Sequence, residues 1–381
     1  MHRALALADD VGRSLPTTGF SAPRVAIVHY WFVAMRGGER VVERLLHLYP
    51  QAEIFTNVYD PGKMSANLAK APIHAGFVNR MPFARRFYQY YLPLMPMALE
   101  GLDLSGFDLV ISSESGPAKG VITRPDATHV CYCHSPMRYL WDHYHQYRAE
   151  ASLPARMAMP YLYHRLREWD VSSSARVDRF IANSHFIQQR IQKVWRREAD
   201  VVHPPVETQL FGISEEVGDS YLWVGQMVPY KRPDLAVEAF TANGLPLTMV
   251  GTGSMLRKLK AMAGPNITFV DRLDFASLRD AYARCRAFVM TAEEDFGITP
   301  VECMASGRPV IAYGRGGARD TVVPGVTGLF FDRQDATSLV AAVEEMERFL
   351  KDFDPHAAVR HAANFSPECF DRGFARVVDA M

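Results

Sequence analysis

Two glutamates, Glu294 and Glu302, flank a Phe296-Gly297 pair in the run Glu293-Glu294-Asp295-Phe296-Gly297-Ile298-Thr299-Pro300-Val301-Glu302, with seven residues between them. The run follows the apolar segment Ala287-Phe288-Val289-Met290, which reads as a strand, and precedes a helical pattern that Gly307 would stop. A helix starting at about Phe296–Gly297 would offer free backbone N–H groups at Phe296, Gly297, Ile298 and Thr299, with the positive end of its dipole. That setting suits an anion such as a diphosphate. Gly297 would let the ligand approach the backbone closely. Glu294 falls before the helix and Glu302 about a turn and a half inside it, so one carboxylate can reach a sugar while the other holds ribose hydroxyls. An acidic first turn stabilised by the macrodipole is the plainer alternative. It would not call for Phe-Gly between two glutamates at this spacing.

The elements that must carry these residues alternate throughout. In the first half, strand candidates are Val25–Val28, Glu53–Phe55, Asp108–Ile111, His129–Tyr132 and Arg179–Ala182, and a helix begins near Gly38-Glu39. The segment Val201-Val202-His203-Pro204-Pro205 reads as a hinge. Beyond it lie Tyr221–Val224, Leu247–Val250, Ile267–Val270, Ala287–Met290 and Pro309–Ala312. Short apolar runs with helix-length spacers describe parallel strands buried on both faces. The expectation is α/β: two doubly wound, Rossmann-like domains facing across a cleft, with ligands at the carboxyl ends of the strands. Residues 1–23 would be a disordered tail, 24–204 and 205–365 the two domains, and a C-terminal helix at about 366–381 would pack back on the first. A chain of 381 residues has the length for two domains.

Composition removes several functions. With 42 Lys+Arg against 42 Asp+Glu, the chain has no overall basic field for nucleic acid. No apolar run approaches the ~20 residues of a spanning helix. The first residues lack a coherent signal-peptide core, and five scattered cysteines fit a reducing cytosol.

At these residues the chain resembles the retaining glycosyltransferases of family 4 (group 1), of GT-B fold, from about Val25 to the C-terminus. Arg36-Gly37-Gly38-Glu39 resembles the family's glycine loop, which approaches the donor phosphate and the acceptor. Cys133-His134-Ser135-Pro136 and the residues to Asp142 resemble the segment whose histidine faces the transferred sugar. Val224-Gly225-Gln226-Met227-Val228-Pro229-Tyr230-Lys231-Arg232 resembles the diphosphate-binding segment, and Gly314 to Gly328 the stretch closing the site. Ala182-Asn183-Ser184 and His203-Pro204-Pro205-Val206 resemble the strand end and interdomain linker. The resemblance is closest to mannosyltransferases acting on polyprenyl-diphosphate-linked saccharides in exopolysaccharide or O-antigen synthesis. It implies GDP-mannose as donor, Glu294, His134 and Lys231 at the reacting centre, and a front-face displacement. None of these segments carries an Asp-x-Asp motif, so no obligatory metal is expected. Donor contacts would come from Gly37, Gly38, Gln226, Lys231, Arg232, Arg272 and the 296–302 helix. Gln226 departs from the family, which usually has arginine there; an amide cannot give a diphosphate the same charge-assisted bonds.

Other signals weigh less. His134 outside its motif would read as structural, and Arg272 is equally a solvated arginine. Gly251-Thr252-Gly253 lacks the third glycine of a dinucleotide loop, so a nicotinamide enzyme is disfavoured. Cys131 and Cys133 have poor zinc spacing. A UDP-sugar transferase, a non-hydrolysing nucleotide-sugar epimerase and a non-catalytic lipid- or nucleotide-binding module remain as alternatives. Between Asp60 and Glu100 there is no acidic residue, while Arg80, Arg85 and Arg86 interleave with Phe83, Phe87, Tyr88 and Tyr91. A core helix with a solvated basic edge would explain this. The favoured expectation is a basic, aromatic surface resting on anionic lipid, which makes the protein peripheral at the inner face of the cell membrane.

Overall fold

The computed structural model describes residues 23–381; the expected tail lies outside them except for Pro23. Two parallel sheets carry the molecule. The first has the order β3-β2-β1-β4-β5-β6-β7. Its strands are β1 Val25–His29, β2 Glu53–Thr56, β3 Ile73–Ala75, β4 Leu109–Glu114, β5 Thr128–Cys133, β6 Arg179–Ala182 and β7 Ala199–Val201. The second has the order β10-β9-β8-β11-β12-β13. Here β8 is Tyr221–Val224, β9 Leu247–Val250, β10 Ile267–Val270, β11 Phe288–Met290, β12 Val310–Tyr313 and β13 Gly328–Phe331. Every registered pair of strands is parallel, and β1, β4, β11 and β12 are buried along their whole length. Helices cover both faces, as β-branched runs buried on two sides require.

Each sheet reverses its strand order once, between β1 and β4 and between β8 and β11. Crevices open at such switch points, beyond the carboxyl ends of the strands. The glycine loop follows β1, the Gly225–Lys231 segment follows β8, and the Glu293–Gly297 run follows β11. His134 directly follows β5, next to β4. Topology alone therefore aims all four segments at one cleft.

The chain passes between domains after β7. His203 stacks on Phe296 with centroids 5.4 Å apart, and its Nδ1 lies 3.1 Å from the Asn183 carbonyl. The last helix, Pro367–Asp379, returns to the first domain. Its Phe370, Phe374 and Val377 join the core of Ile27, Val42, Ile54 and Ile111. Arg44 pairs with Asp371 of that helix.

The acid-free stretch is not one helix. It runs as 3₁₀ turns and short helices, including Ala84–Phe87 and Met95–Glu100. Leu68, Val78, Ala84, Leu92, Met95 and Leu99 anchor it from inside. Outside, Phe83 and Tyr90 are 77% and 76% exposed. Arg80, Arg85 and Arg86 are exposed beside them, and Arg86 lies over the Phe87 ring at 5.2 Å.

Candidate active site

The helix after β11 runs Ile298–Ala305, with Gly297 as its N-cap at φ 94°, a conformation that a side chain would strain. Gly307, at φ 71°, ends it. The preceding loop rests on the glycines of the 314–328 stretch. A Cβ on Gly317 would sit 2.3 Å from Phe296 Cα, and one on Gly316 would sit 2.4 Å from the Glu294 carbonyl oxygen. Gly317 N–H also donates to that carbonyl at 2.8 Å. Glycine is what lets the two loops stack.

On this support Glu294 meets Lys231 at 3.0 Å. Burial alone would lower the Lys231 pKa, but the Glu294 carboxylate outweighs it and the ammonium is held above its ordinary range. The Lys231 carbonyl accepts from Thr291 Oγ1 at 2.8 Å, tying the two loops of the second domain together. Glu294 opens into a cavity of about 380 Å³ whose walls include Trp31, Arg36, Tyr88, Tyr139 and Tyr230.

Glu302, just over one turn into its helix, faces a different cavity. That space, of about 390 Å³, is also lined by Arg40, Phe211 and Phe275. Glu302 accepts from the Tyr282 hydroxyl at 3.0 Å and lies 3.6 Å from Arg40 of the first domain. Burial raises its pKa, opposed by Arg40 and Tyr282. The first domain closes over this helix at Gly37, where an added Cβ would lie 3.0 Å from Ile298 Cδ1. Gly38 is tighter still: a Cβ there would meet the Tyr30 hydroxyl at 2.9 Å and His134 Nε2 at 3.5 Å. His134 itself is neutral at ordinary pH, since burial and the nearby His29 push its pKa down to about 3.

The remaining expected residues are placed as follows. Thr299 is half-buried in the first turn of the helix. Gln226 is exposed after β8. The Phe296 ring does not face a ligand: it is buried at 4% exposure between His203 and Phe365, so it supports the hinge and only its backbone borders the cleft. Arg232 directs its guanidinium to Asp234 at 3.1 Å, and Arg272 is exposed and lines neither cavity. Tyr88 lines the Glu294 cavity, while the Tyr91 hydroxyl donates to the Pro82 carbonyl at 2.8 Å.

Sequence reasoning missed Asp295. Its side chain crosses the cleft to Arg190 at 3.2 Å, Arg138 at 3.6 Å and the Ser135 hydroxyl at 3.5 Å. Its carbonyl accepts from Ser184 Oγ at 2.5 Å. Burial raises its carboxyl pKa, and the two guanidinium groups counter this. The acidic triplet Glu293-Glu294-Asp295 was the available signal, since three adjacent acids ask for cations from elsewhere. Among the described residues no cluster of three His, Cys, Asp or Glu side chains could hold a metal.

Two family models match this chain. The model "Glycosyltransferase Family 4" matches residues 35–210, and "Glycosyl transferases group 1" matches residues 215–358. The chain belongs to the group 1 glycosyltransferases of GT-B fold. Among relatives, a GDP-mannose-dependent alpha-mannosyltransferase of Mycolicibacterium smegmatis is 40% identical over 111 residues, 29% of each chain. A D-inositol 3-phosphate glycosyltransferase of Mycobacterium marinum is 26% identical over 221 residues, 50% of this chain and 47% of that one. The chain thus spans half or less of the length of these curated relatives. Among solved structures, Anabaena HepE in complex with UDP and glucose aligns with a TM-score of 0.69 at 15% identity, over 94% of this chain and all of the other. Sucrose-phosphate synthase of Thermosynechococcus elongatus aligns at 0.68 and 17% identity, over 94% and 99%. These likenesses establish the fold shared by the family.

If Glu302 holds ribose hydroxyls at a distance from the reacting carbon, Glu302→Ala should raise the donor KM about 10-fold and change kcat less than threefold. Steady-state kinetics with the donor varied will check this; a kcat loss larger than the KM gain would move Glu302 to the reacting centre.

Proposed function

We propose that the protein is a retaining glycosyltransferase that moves mannose from GDP-mannose, in α linkage, to a polyprenyl-diphosphate-linked saccharide of exopolysaccharide or O-antigen synthesis. The observation that carries the transferase reading is the Lys231–Glu294 pair at 3.0 Å, set where the segments after β8 and β11 converge. A leaving diphosphate needs fixed positive charge, and a sugar needs a fixed acceptor for its hydroxyls; this pair supplies one of each. In the proposed step the bond from the sugar's anomeric carbon to the phosphate oxygen breaks and the bond to the acceptor oxygen forms on the same face. The acceptor's proton passes to the departing diphosphate. Lys231, the amides of Gly37 and Gly38 and the helix end at Gly297 stabilise the developing charge, Glu294 orients the sugar hydroxyls, and closure of the two domains keeps water away. The choice of GDP-mannose is supported by the names of several relatives, among them the M. smegmatis mannosyltransferase. A UDP-sugar is the second reading, since the aligned HepE structure holds UDP.

The acceptor's long lipid suggests where the enzyme works. Among the described residues no helix is long and apolar enough to cross a membrane. The patch of Arg80, Arg85, Arg86, Phe83 and Tyr90 would rest on anionic headgroups at the inner face of the membrane, next to the Tyr88 wall of the Glu294 cavity. Transfer from GDP-mannose, compared with UDP-sugars, to a polyprenyl-diphosphate saccharide in anionic vesicles tests the whole reading. Neutralising Arg80, Arg85 and Arg86 together should weaken vesicle sedimentation at least ~10-fold and spare transfer to a soluble short-chain acceptor. Equal sedimentation of wild type and triple variant would remove the membrane, and no transfer from any donor would remove the activity.

A further inference from the structure

A chain of buried side chains joins the glycine loop to His134 behind the cleft. β1 and β4 pair with His29 opposite Ser113, which puts His29 Nδ1 3.0 Å from Ser113 Oγ. β5 lies on the other side of β4, and His134, one residue past it, puts Nε2 2.9 Å from the same hydroxyl. At the far end His29 Nε2 has no hydrogen-bond partner and faces Glu39 Oε1 at 3.7 Å. The other Glu39 oxygen accepts the backbone N–H of Arg36 at 2.9 Å, which caps the helix Gly37–Leu48 and holds the glycine loop. His29 and Ser113 are fully buried and Glu39 almost so, with the Tyr30 and Phe32 rings packed on His29. Among the described residues the other nitrogen of His134, Nδ1, has no hydrogen-bond partner, and it is not one of the sealed polar atoms.

The direction of the protons along this chain follows from what each group can do. A carboxylate only accepts, so an imidazole facing Glu39 is favoured with its proton on Nε2. Glu39 is ionised: burial raises its pKa, but His29 and the N–H groups at the loop outweigh burial and leave it below the ordinary value. With His29 in its neutral form, its Nδ1 is bare and the Ser113 hydroxyl donates there. The serine oxygen in turn accepts N–H from His134 Nε2, leaving a lone pair at His134 Nδ1. We infer that Glu39 is a positioning residue that, through His29 and Ser113, holds His134 as its Nε2–H tautomer and so makes it an acceptor for a hydroxyl of the donor sugar. The one carboxylate thereby sets both the glycine loop and the polarity of the histidine. A neutral sugar with a hydroxyl at that place is accepted, whereas a uronic acid, with no proton to give there, is disfavoured. The sugar half of this inference rests on the transferase reading; the tautomer half does not.

Glu39→Gln tests it, because the amide oxygen can still accept from Arg36 while its NH₂ donates to His29 Nε2. Every proton in the chain then reverses. The ¹⁵N imidazole signals of His134, assigned with His134→Gln, should change from the Nε2–H to the Nδ1–H pattern. Turnover of a hydroxyl-bearing donor should fall at least ~10-fold, a part of the ~10⁴-fold lost where a reversed imidazole must also move the reacting proton. Binding of GDP alone should stay within about twofold, since the amide oxygen still accepts from Arg36 N–H and keeps the glycine loop in place. Ser113→Ala cuts the chain and should give mixed tautomers, and adding Glu39→Gln to it should then change nothing at His134. A wild type with His134 already Nδ1–H, or unmoved signals in Glu39→Gln, overturns the inference. Tautomers as stated in a protein that transfers no sugar overturn the transferase reading and leave the relay standing.

Discussion

Glu294→Gln should lower sugar transfer at least ~100-fold, equal to about 2.7 kcal/mol of transition-state stabilisation, while leaving the fold intact. The substitution keeps size and hydrogen-bonding oxygen but removes the charge that faces Lys231 at 3.0 Å. In the wild type that carboxylate keeps Lys231 protonated despite its burial. Without it, the ammonium loses its partner and burial favours the neutral amine, the form least able to stabilise a departing diphosphate. The same substitution turns part of the acceptor for sugar hydroxyls into a donor. One effect bears on the departing diphosphate and the other on the reacting sugar, so kcat falls by a larger factor than donor KM rises. Thermal melting within a few degrees of wild type, together with single-turnover kinetics, checks the claim. A fully active Glu294→Gln protein would sink the placement of the reacting centre beside Lys231.

Whether the sequence could show such features depended on whether they are local. The runs Arg179–Ala182, Tyr221–Val224, Leu247–Val250 and Ile267–Val270 coincide with β6, β8, β9 and β10, because β-branched and aromatic residues in runs of four mark parallel strands, even for β10 at a sheet edge. β3 and β7 escaped notice: each has three residues, none of them fully buried, at a sheet edge. β13 begins at Gly328 inside a glycine-rich stretch that reads as loop. That glycine is required there, since a Cβ would lie 2.0 Å from the Val310 carbonyl oxygen. The Glu294–Gly297–Glu302 spacing was legible for the same reason as those four strands, being local: it is contained in one strand–loop–helix unit. The Phe296 ring direction was not, because it depends on the left-handed Gly297 and on a hinge histidine 93 positions away in the chain. The His29–Ser113–His134 chain required strand register across 84 residues, which composition and motifs do not encode.

Asp295 makes the same point and carries the second large effect. Asp295→Ala should lower the melting temperature by about 5–10 °C and cut transfer more than ~10-fold. Arg138 and Arg190 keep only 16% and 11% of their side-chain surface exposed, and Asp295 stands within 3.6 Å of both. Removing it leaves two largely desolvated guanidinium groups facing each other, with Asp142 as their remaining acid at 3.8 and 2.6 Å. Truncating one partner of a fully buried pair costs about 3–5 kcal/mol; the 26% exposure of Asp295 and the presence of Asp142 reduce this to about 2–3. Because the lost contacts bridge the two domains, part of the cost should appear as opening of the cleft, not as unfolding. Scattering in solution should then show a larger radius of gyration for Asp295→Ala than for wild type. Asp295→Asn should fall between them, since an amide still accepts from Arg190 without neutralising it. Catalysis falls because Glu294 is the neighbouring residue and its loop is held to the first domain through Asp295. An Asp295→Ala protein as compact, stable and active as wild type would show that the bridge merely accompanies closure and does not maintain it.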